Sequence, residues 1–225
     1  MNPVLALFPL STVLFPGLVL PLHVFEERYR ALVRDLLAEP EDQARQFGVV
    51  AIERGWEVDG DGAHVSLYDV GCTAEVRKVT DNPDGTFDLV TVGRHRFEIV
   101  RTVAGDAPYL RAEVRFLPEP ADDDAEADRL APGVLAAFRS YLRLVRTDGE
   151  DVGEQLPENP TVLSHLIAAT AALTVADRQQ LLAAPDAAAR LRSELRLLHR
   201  EATLLGYMRA VPVAVSELPV RPGPN

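Results

Sequence analysis

The stretch LPLHVFEERYR, residues 20–30, marks the point at which the hydrophobic period of the chain changes. Up to Pro21 the sequence consists of short apolar runs separated by prolines. A helix does not accommodate this spacing, because each interior proline removes a backbone hydrogen bond and clashes with the preceding turn. The uncharged segment Met1–Phe25 is therefore interpreted as buried strands and not as a membrane helix. The predicted strands are Val4–Phe8, Val13–Phe15 and Val19–Leu20.

After Pro21 the apolar residues recur every three or four positions, which is the spacing of one face of an α-helix. Glu26 and Glu27 fall in the first turn, where carboxylates interact favourably with the helix dipole. Pro40 follows the last apolar position, so we predict a helix near residues 25–38. Its apolar face consists of Phe25, Tyr29, Leu32, Val33 and Leu36.

Outward from this helix, the sequence up to residue 117 is typical of β-structure. Phe47–Glu53 is an apolar, β-rich run, Thr73–Val79 alternates, and the NPDG sequence at residues 82–85 is a hairpin signal. Short connections favour antiparallel pairing, which predicts a closed or nearly closed barrel with one inserted helix. The remaining predicted strands are Phe87–Val92 and Phe97–Val103, joined by a turn at Gly93-Arg94, and a strand with Leu110, Ala112, Val114 and Phe116 on one face.

A change in composition separates this region from a helical one. Residues 118–128 hold six carboxylates and two prolines and are interpreted as a solvated linker. Beyond it, Asn159 and Pro160 predict a helix start, and Thr174 with Asp177 forms a capping-box pattern. The longest helix is predicted after Pro185, and short loops favour an antiparallel bundle. Its predicted outward positions are Arg190, Arg192, Arg196 and Arg200.

The composition argues against several functional classes. The 225 residues are 47% hydrophobic and 25% charged, which is ordinary for a globular chain, and the net charge is −11. Up to residue 118 there are 12 basic and 18 acidic side chains, a balance of −6 that disfavours nucleic acid. Lys78 is the only lysine, and no phosphate-binding GxxxxGK[ST] string occurs, so neither ATP hydrolysis nor Ser–Lys proteolysis is expected. Cys72 is the only cysteine, and we predict no metal, cofactor or catalytic residue.

Several strings, taken in order, resemble the N-terminal, substrate-binding domain of Lon proteases. They are LFPL at 7–10, LFPG at 14–17, LPLHVFEERYR at 20–30, VGCTAEV at 70–76, GRHRF at 93–97 and PYL at 108–110. The resemblance implies an α+β fold, with a PUA-like antiparallel β-barrel of about six strands and one inserted helix, followed by an α-helical bundle. The corresponding predicted boundaries are 1–118 for the barrel, 119–211 for the bundle and 212–225 for a flexible tail.

In Lon proteases this unit recognises unfolded or tagged substrates and delivers them to an AAA+ motor and a Ser–Lys peptidase. Because those parts are not found in this sequence, the resemblance implies a stand-alone, non-catalytic binding module. Its expected partners are unfolded or client polypeptides, a protease or chaperone, or a second copy in a homodimer. A cytoplasmic location without membrane association is expected. Two alternatives stay open, an RNA-binding PUA-like protein and a small enzyme with a pocket between the two halves.

The polar face of the first helix is the predicted binding surface, together with the groove between barrel and helices. An extended or misfolded polypeptide would gain affinity from exposed apolar groups there and backbone hydrogen bonds at a strand edge. The candidate residues on the helix are Glu26, Glu27, Arg28, Arg30 and Arg34. Trp56, in a Gly- and Asp-rich loop, is a sixth candidate because exposed aromatic residues anchor interfaces.

Overall fold

The structure, a computed structural model, describes residues 2–40, 44–54, 66–119, 125–145 and 156–210. It confirms the predicted α+β fold class, with a β-rich part followed by a helical part. The strands are β1 (Val4–Leu10), β2 (Val19–Val24), β3 (Gln46–Arg54), β4 (Ser66–Leu67), β5 (Val70–Asp81), β6 (Phe87–Thr102) and β7 (Arg111–Phe116). The helices are α1 (Glu27–Ala38), α2 (Ala125–Val145), α3 (Pro160–Thr170), α4 (Val175–Leu182) and α5 (Ala187–Ala210).

The strands form a barrel in the order β1-β7-β6-β5-β3, and it closes because β3 also pairs with β1. The closing pair is parallel, with Leu7 beside Gly48, whereas the other pairs are antiparallel. Parallel neighbours need a long crossover, which here contains β2 and α1. Strand β2 lies outside the ring and pairs with β6, and the short β4 pairs with β3.

Helix α1 packs its apolar face against the barrel core. Leu32 and Val33 are each 1% exposed, and the Tyr29 ring stacks on Phe8 with 4.0 Å between centroids. The predicted helix is therefore confirmed, but the assignment of Phe25 to its apolar face was wrong. Phe25 precedes the helix and is 64% exposed, because the chain is still extended at Glu26, where ψ is 135°.

The segment Val13–Phe15 is buried as predicted but forms no strand. Leu14 packs into the barrel core, whereas Val13 and Phe15 belong to a second cluster with Leu181 of α4. The prediction of a strand was wrong because burial here comes from lying between two packed layers. A short apolar run in the sequence does not distinguish this from a buried strand.

No turn occurs at Gly93-Arg94, since β6 runs unbroken through both positions. A Cβ at Gly93 would lie 2.2 Å from the Phe15 carbonyl oxygen. The Gly93 amide donates to the Leu18 carbonyl, and its carbonyl accepts from the Gly17 amide, both at 2.9 Å. The predicted turn was wrong because the glycine serves the close approach of a second backbone segment.

Burial along β7 follows the predicted alternation only in the middle of the strand. Ala112 and Val114 are fully buried, whereas Leu110 and Phe116 are 44% and 40% exposed. Strand β1 pairs with β7 only as far as Glu113, so the last residues of β7 extend beyond that neighbour. The four apolar residues were predicted on one face of the strand, and of these only Ala112 and Val114 are buried, while Leu110 precedes β7.

The helix starts predicted from capping patterns are confirmed. The Asn159 side chain accepts a hydrogen bond from the Val162 amide at 3.0 Å, and Pro160 begins α3. The Thr174 hydroxyl accepts from the Asp177 amide at 3.1 Å at the start of α4. Both caps satisfy amides that the first helical turn leaves without backbone partners.

Two predictions about the helical part were wrong. Helix α2 begins at Ala125, so the predicted solvated linker 118–128 ends in helix, and Ala127 is 2% exposed. Arg190, predicted to point outward from α5, is fully buried, and its guanidinium contacts the Glu119 carboxylate, the Ser164 hydroxyl and the Leu181 carbonyl. The boundary at residue 118 stays a prediction, and the tail 212–225 lies outside the described residues.

Candidate functional site

The five charged candidates on α1 form ion pairs with one another. Glu26 accepts from Arg28 at 2.8 Å, and Glu27 pairs with Arg30 at 3.0 Å and with Arg34 at 2.7 Å. Hydrogen bonding by Arg34 lowers the pKa of the Glu27 carboxyl, with further contributions from the charges of Arg30 and Arg34. Their charges are therefore largely neutralised by pairing within this set of residues.

Two of these arginines also contact the barrel. The Arg28 guanidinium lies over the Tyr29 ring, 4.6 Å from its centroid, in a cation–π arrangement. Arg30 is only 24% exposed and lies against Gly85 of the β5–β6 hairpin, where φ is +78°. A Cβ at Gly85 would be 2.5 Å from the Arg30 Nη2 atom. Arg30 therefore helps to dock the hairpin on α1. Trp56 lies outside the described residues.

An exposed apolar surface lies next to the start of α1. We call it the β2 surface, and its exposed side chains are those of Val19, Pro21, Phe25 and Val90. Val19 and Phe25 are 62% and 64% exposed, and Pro21 pairs with Val90 across the two strands. This surface was not predicted, because the sequence pattern placed Val19 in a buried strand and Phe25 on the apolar face of α1. Strict alternation in β2, whose inward residues are Leu20, Leu22 and Val24, was the signal that could have identified it.

Strand β2 pairs only with β6 among the described strands, so its other edge lacks a strand partner there. The Gly93 amide donates to the Leu18 carbonyl, which fixes Leu20 and Leu22 as the residues hydrogen-bonded to β6. The backbone groups of Val19 and His23 therefore point to the open edge. Pro21 interrupts this edge because it has no amide to donate.

A buried ionic cluster joins the barrel to the helices. It consists of Arg96 of β6, Glu119, His165 of α3 and Arg190 of α5. Glu119 forms an ion pair with Arg96, and its Oε1 atom lies 3.5 Å from both His165 Nε2 and Arg190 Nη2. Arg96, His165 and Arg190 are at most 3% exposed. Nothing in the sequence analysis associated these four residues, which are separated by up to 94 positions.

Backbone carbonyls complete the coordination of the buried arginines. Arg96 donates to the carbonyls of Leu182 at 2.8 Å and Ala184 at the end of α4. Arg190 donates to Leu181 at 3.1 Å. These bonds connect a barrel strand and α5 to the same helix terminus, where cations interact favourably with the carbonyl groups. The cluster therefore fixes the helices against the barrel.

The pKa values of His165 and Glu119 are both shifted, so that at pH 7 the imidazole is neutral and the carboxyl is ionised. Burial lowers the pKa of His165 to about 4, so the ring is neutral at pH 7. Burial of Glu119 opposes its ionisation, but the contact with His165 and the charges of Arg190 and Arg96 outweigh this effect. They lower the pKa of Glu119 to about 2. One carboxylate thus faces two guanidinium groups and a neutral imidazole.

Ser164 adjoins the ionic cluster through its contact with Arg190. Ser164 donates to the Thr161 carbonyl at 2.8 Å and accepts from Arg190, so its hydroxyl is engaged in structural bonds. Two cavities, of about 760 and 290 Å³, lie elsewhere, one beside α2 and α3 and one beside α1. Neither is lined by any residue of the ionic cluster.

Among the described residues there is no group of three or more His, Cys, Asp or Glu side chains that could hold a metal ion. Cys72 is buried in β5, and burial raises the pKa of its thiol to about 12. The thiol is therefore protonated at neutral pH and packs as a small apolar group.

The cluster predicts a pH dependence of stability. The unfolded chain protonates His165 near pH 6.5 and the folded chain only near pH 4, so this contribution is complete above pH 6.5 and is lost as pH falls towards 4. This difference in the His165 pKa between the unfolded and folded chains corresponds to about 3 kcal/mol in the free energy of unfolding. Glu194 in α5 changes the stability in the opposite direction, because burial raises its pKa well above the ordinary value, so acidification favours its folded state. Glu194 is present both in the native protein and in His165→Gln, so it does not alter the comparison between them. The advantage of the native protein over His165→Gln is therefore expected to shrink on acidification.

Urea unfolding of both proteins at pH 7, 6, 5 and 4 measures this difference. His199→Gln is the control, because the His199 side chain is exposed on α5, away from the ionic cluster. A constant difference between the native protein and His165→Gln across the series would contradict the prediction.

Comparison with known proteins adds to this geometry. The family model for the ATP-dependent protease La (LON) substrate-binding domain matches residues 4–200. The chain belongs to this Lon family. The resemblance stated from the sequence is thereby confirmed. The chain is 33% identical over 205 residues to Lon protease 2 of Herpetosiphon aurantiacus, covering 90% of this chain and 24% of the relative. It is 34% identical over 166 residues to Lon protease 1 of Thermus thermophilus, covering 72% of this chain and 20% of that protein.

The chain thus spans about a quarter or less of the length of these Lon relatives. The crystal structure of a Lon N-terminal domain protein from Xanthomonas campestris matches with a TM-score of 0.62 and 26% identity, over 86% of this chain and 98% of that one. The N-terminal domain of Mycobacterium avium complex Lon protease matches with a TM-score of 0.61 and 18% identity, over 89% and 98%, and supports the fold alone. No helix within the described ranges is long and apolar enough to cross a membrane.

Proposed function

We propose that this Lon-family domain is a non-catalytic module that binds unfolded or client polypeptides through the β2 surface. The observation that carries the proposal is the combination of exposed apolar side chains with an open strand edge. Val19 and Phe25 present apolar groups to solvent, and the backbone of Val19 and His23 faces the same edge. Family membership supports a substrate-binding role.

An unfolded segment matches both features of this surface, its exposed apolar side chains and its open strand edge. Its apolar side chains gain roughly 25 cal/mol for each Å² that contact with Phe25 and its neighbours removes from water. Its unpaired backbone amides and carbonyls find partners along the edge of β2, as in other β-strand additions. A folded protein buries most of its apolar side chains and pairs most of its backbone groups, so the surface favours unfolded chains over native ones.

Pro21 limits how such a segment pairs. Since it has no amide at the edge of β2, continuous pairing with another strand is interrupted after a few residues. This arrangement supports transient contact with varied sequences and opposes edge-to-edge association of native copies. The homodimer, protease and chaperone partners predicted from the sequence stay predictions.

The charged face of α1 has a secondary role in this proposal. Glu26 and Glu27 are already paired with the three arginines of the face, so a polypeptide gains little by replacing those contacts. We assign the face to orienting a bound segment that leaves the β2 surface, and we assign affinity to the apolar groups.

The double variant Val19→Ser/Phe25→Ser is expected to bind a permanently unfolded, carboxymethylated model protein about tenfold more weakly. The reason is the loss of two exposed apolar side chains, whose truncation at an interface typically costs about 1–3 kcal/mol. Fluorescence anisotropy with the labelled unfolded protein measures the dissociation constant, with the same protein in its native state as a reference.

Val162→Ser/Tyr207→Ser is the matched control. Val162 and Tyr207 are 52% and 71% exposed, so the control removes one valine and one aromatic ring of similar exposure from the helical part. Equal weakening in both double variants, or none in either, would refute the assignment to the β2 surface.

A further inference from the structure

A pocket of about 290 Å³ lies between α1 and the β6–β7 connection. Among the charged residues predicted from the sequence to bind a polypeptide, only Arg28 lines this pocket. Its walls include the rings of Tyr29 and Tyr109 and the side chains of Arg28 and Arg111. Pro108 and Leu110 add apolar surface. We call it the Arg28–Arg111 pocket. Aromatic walls with two guanidinium groups are a combination suited to a planar anion.

Hydrogen bonds hold the walls of this pocket in place. The Tyr109 hydroxyl donates to Asp35 of α1 at 2.6 Å, which fastens the connection to the helix. The Leu110 carbonyl accepts from the Leu7 amide, and the Arg111 carbonyl accepts from the Val103 amide, both at 2.8 Å. The pocket is therefore formed before any ligand arrives, which lowers the entropic cost of binding.

The two arginines differ in their surroundings. Arg28 pairs with Glu26 and lies over Tyr29, so its guanidinium is held in a fixed orientation. Arg111 is half-buried, and its guanidinium has no carboxylate partner within the part of the chain that the structure describes. Its Nη1 atom would lie 3.6 Å from a Cβ at Gly105, so it rests against the backbone of the connection.

We infer that Arg111, in the Arg28–Arg111 pocket, binds a carboxylate of a bound polypeptide, while Arg28 stays paired with Glu26. A carboxylate is planar and matches the parallel N–H groups of a guanidinium, and the half-buried position of Arg111 strengthens such a pair relative to a fully exposed one. Phe25 of the β2 surface precedes Arg28 by three residues, so the apolar surface and the pocket adjoin along the chain. The inference rests on the proposed function and specifies which polypeptides bind best.

Two pairs of labelled, apolar ten-residue peptides test the inference by anisotropy. One pair ends in a free carboxylate or an amide, and the other is amidated and contains an internal Glu or Gln. We expect about tenfold tighter binding of the carboxylate member of at least one pair, the scale of one charge-assisted hydrogen-bonded contact. The pair that shows the preference identifies the source, a chain terminus or an acidic side chain.

Arg111→Gln is expected to abolish the preference, and Arg111→Lys to retain part of it. Arg115→Gln is the matched control, because Arg115 lies on the same strand but already pairs with Glu98. A second variant, Ala104→Glu, places a carboxylate on the exposed wall of the pocket and should reduce the preference in the same way.

Three results would overturn the inference. Equal affinity within both peptide pairs, with binding retained, would remove the carboxylate site and leave the proposed function intact. A preference that persists in Arg111→Gln and in Ala104→Glu would place the site elsewhere. Absence of binding by all four peptides would overturn both the inference and the proposed function.

Discussion

Glu119→Gln is expected to lower the free energy of unfolding at pH 7 by about 3–5 kcal/mol, the usual cost of removing one partner from a buried ion pair. Glutamine has nearly the same shape but no charge. It would leave the guanidinium groups of Arg96 and Arg190 inside the protein without the charge of the carboxylate that they share. Because these arginines also hold the end of α4, the loss should weaken the docking of the helices on the barrel. Urea unfolding monitored by circular dichroism measures the change.

Glu98→Gln is the control for this prediction. Glu98 also pairs with an arginine, Arg115, but the two side chains are 37% and 64% exposed. Surface pairs of this kind contribute about 0–1 kcal/mol, so the control should be close to the native protein. If the two glutamate variants were equally stable, the ionic cluster would not be what fixes the helices to the barrel.

Gly93→Ala is expected to cost about 3–4 kcal/mol of stability, a large effect for the addition of one methyl group. The new Cβ would lie 2.2 Å from the Phe15 carbonyl oxygen, and a backbone atom has less room to move than a side chain. Relief of this clash requires β6 to separate from the preceding segment. That movement breaks the bonds between Gly93 and both Gly17 and Leu18. Thermal and urea unfolding measure the loss.

Gly133→Ala is the control for this prediction, because here the same substitution should raise the stability. Gly133 lies in α2, and a Cβ there would meet nothing within 4 Å. Alanine has a higher helix propensity than glycine, so this variant should be stabilised by up to about 1 kcal/mol. A loss of stability in Gly93→Ala no greater than that of an ordinary surface substitution would contradict the close-approach explanation.

Local patterns predicted those elements whose formation depends on neighbours in the sequence. The spacing of Tyr29, Leu32 and Leu36 predicted α1, and the side chains of Asn159 and Thr174 predicted the starts of α3 and α4. Caps and amphipathic faces act over one or two turns, so the information lies within a few residues. The Lon-type strings near the N-terminus predicted the family, which the match over residues 4–200 confirms.

The candidate site was only partly predictable. Sequence reasoning selected the charged residues at the start of α1, whereas the exposed apolar groups in the structure are those of Val19 and Phe25. It did not identify those groups as exposed, because an apolar residue beside prolines resembles core. It also missed Arg111, whose chemistry depends on a loop that folds back on α1.

The sequence by itself determined the α+β class, the succession of a β-rich and a helical part, the helix caps at Asn159 and Thr174 and membership of the Lon family. Only the tertiary structure decided that Gly93 lies inside a continuous strand and that Arg190 is buried. It also decided that Glu119, one of the six carboxylates of residues 118–128, forms an ion pair with Arg96. The physical reason is the separation in sequence between the residues that interact. Periodicity and capping are set by residues within a few positions, whereas a close backbone approach or a buried ion pair depends on chain segments that meet only after folding.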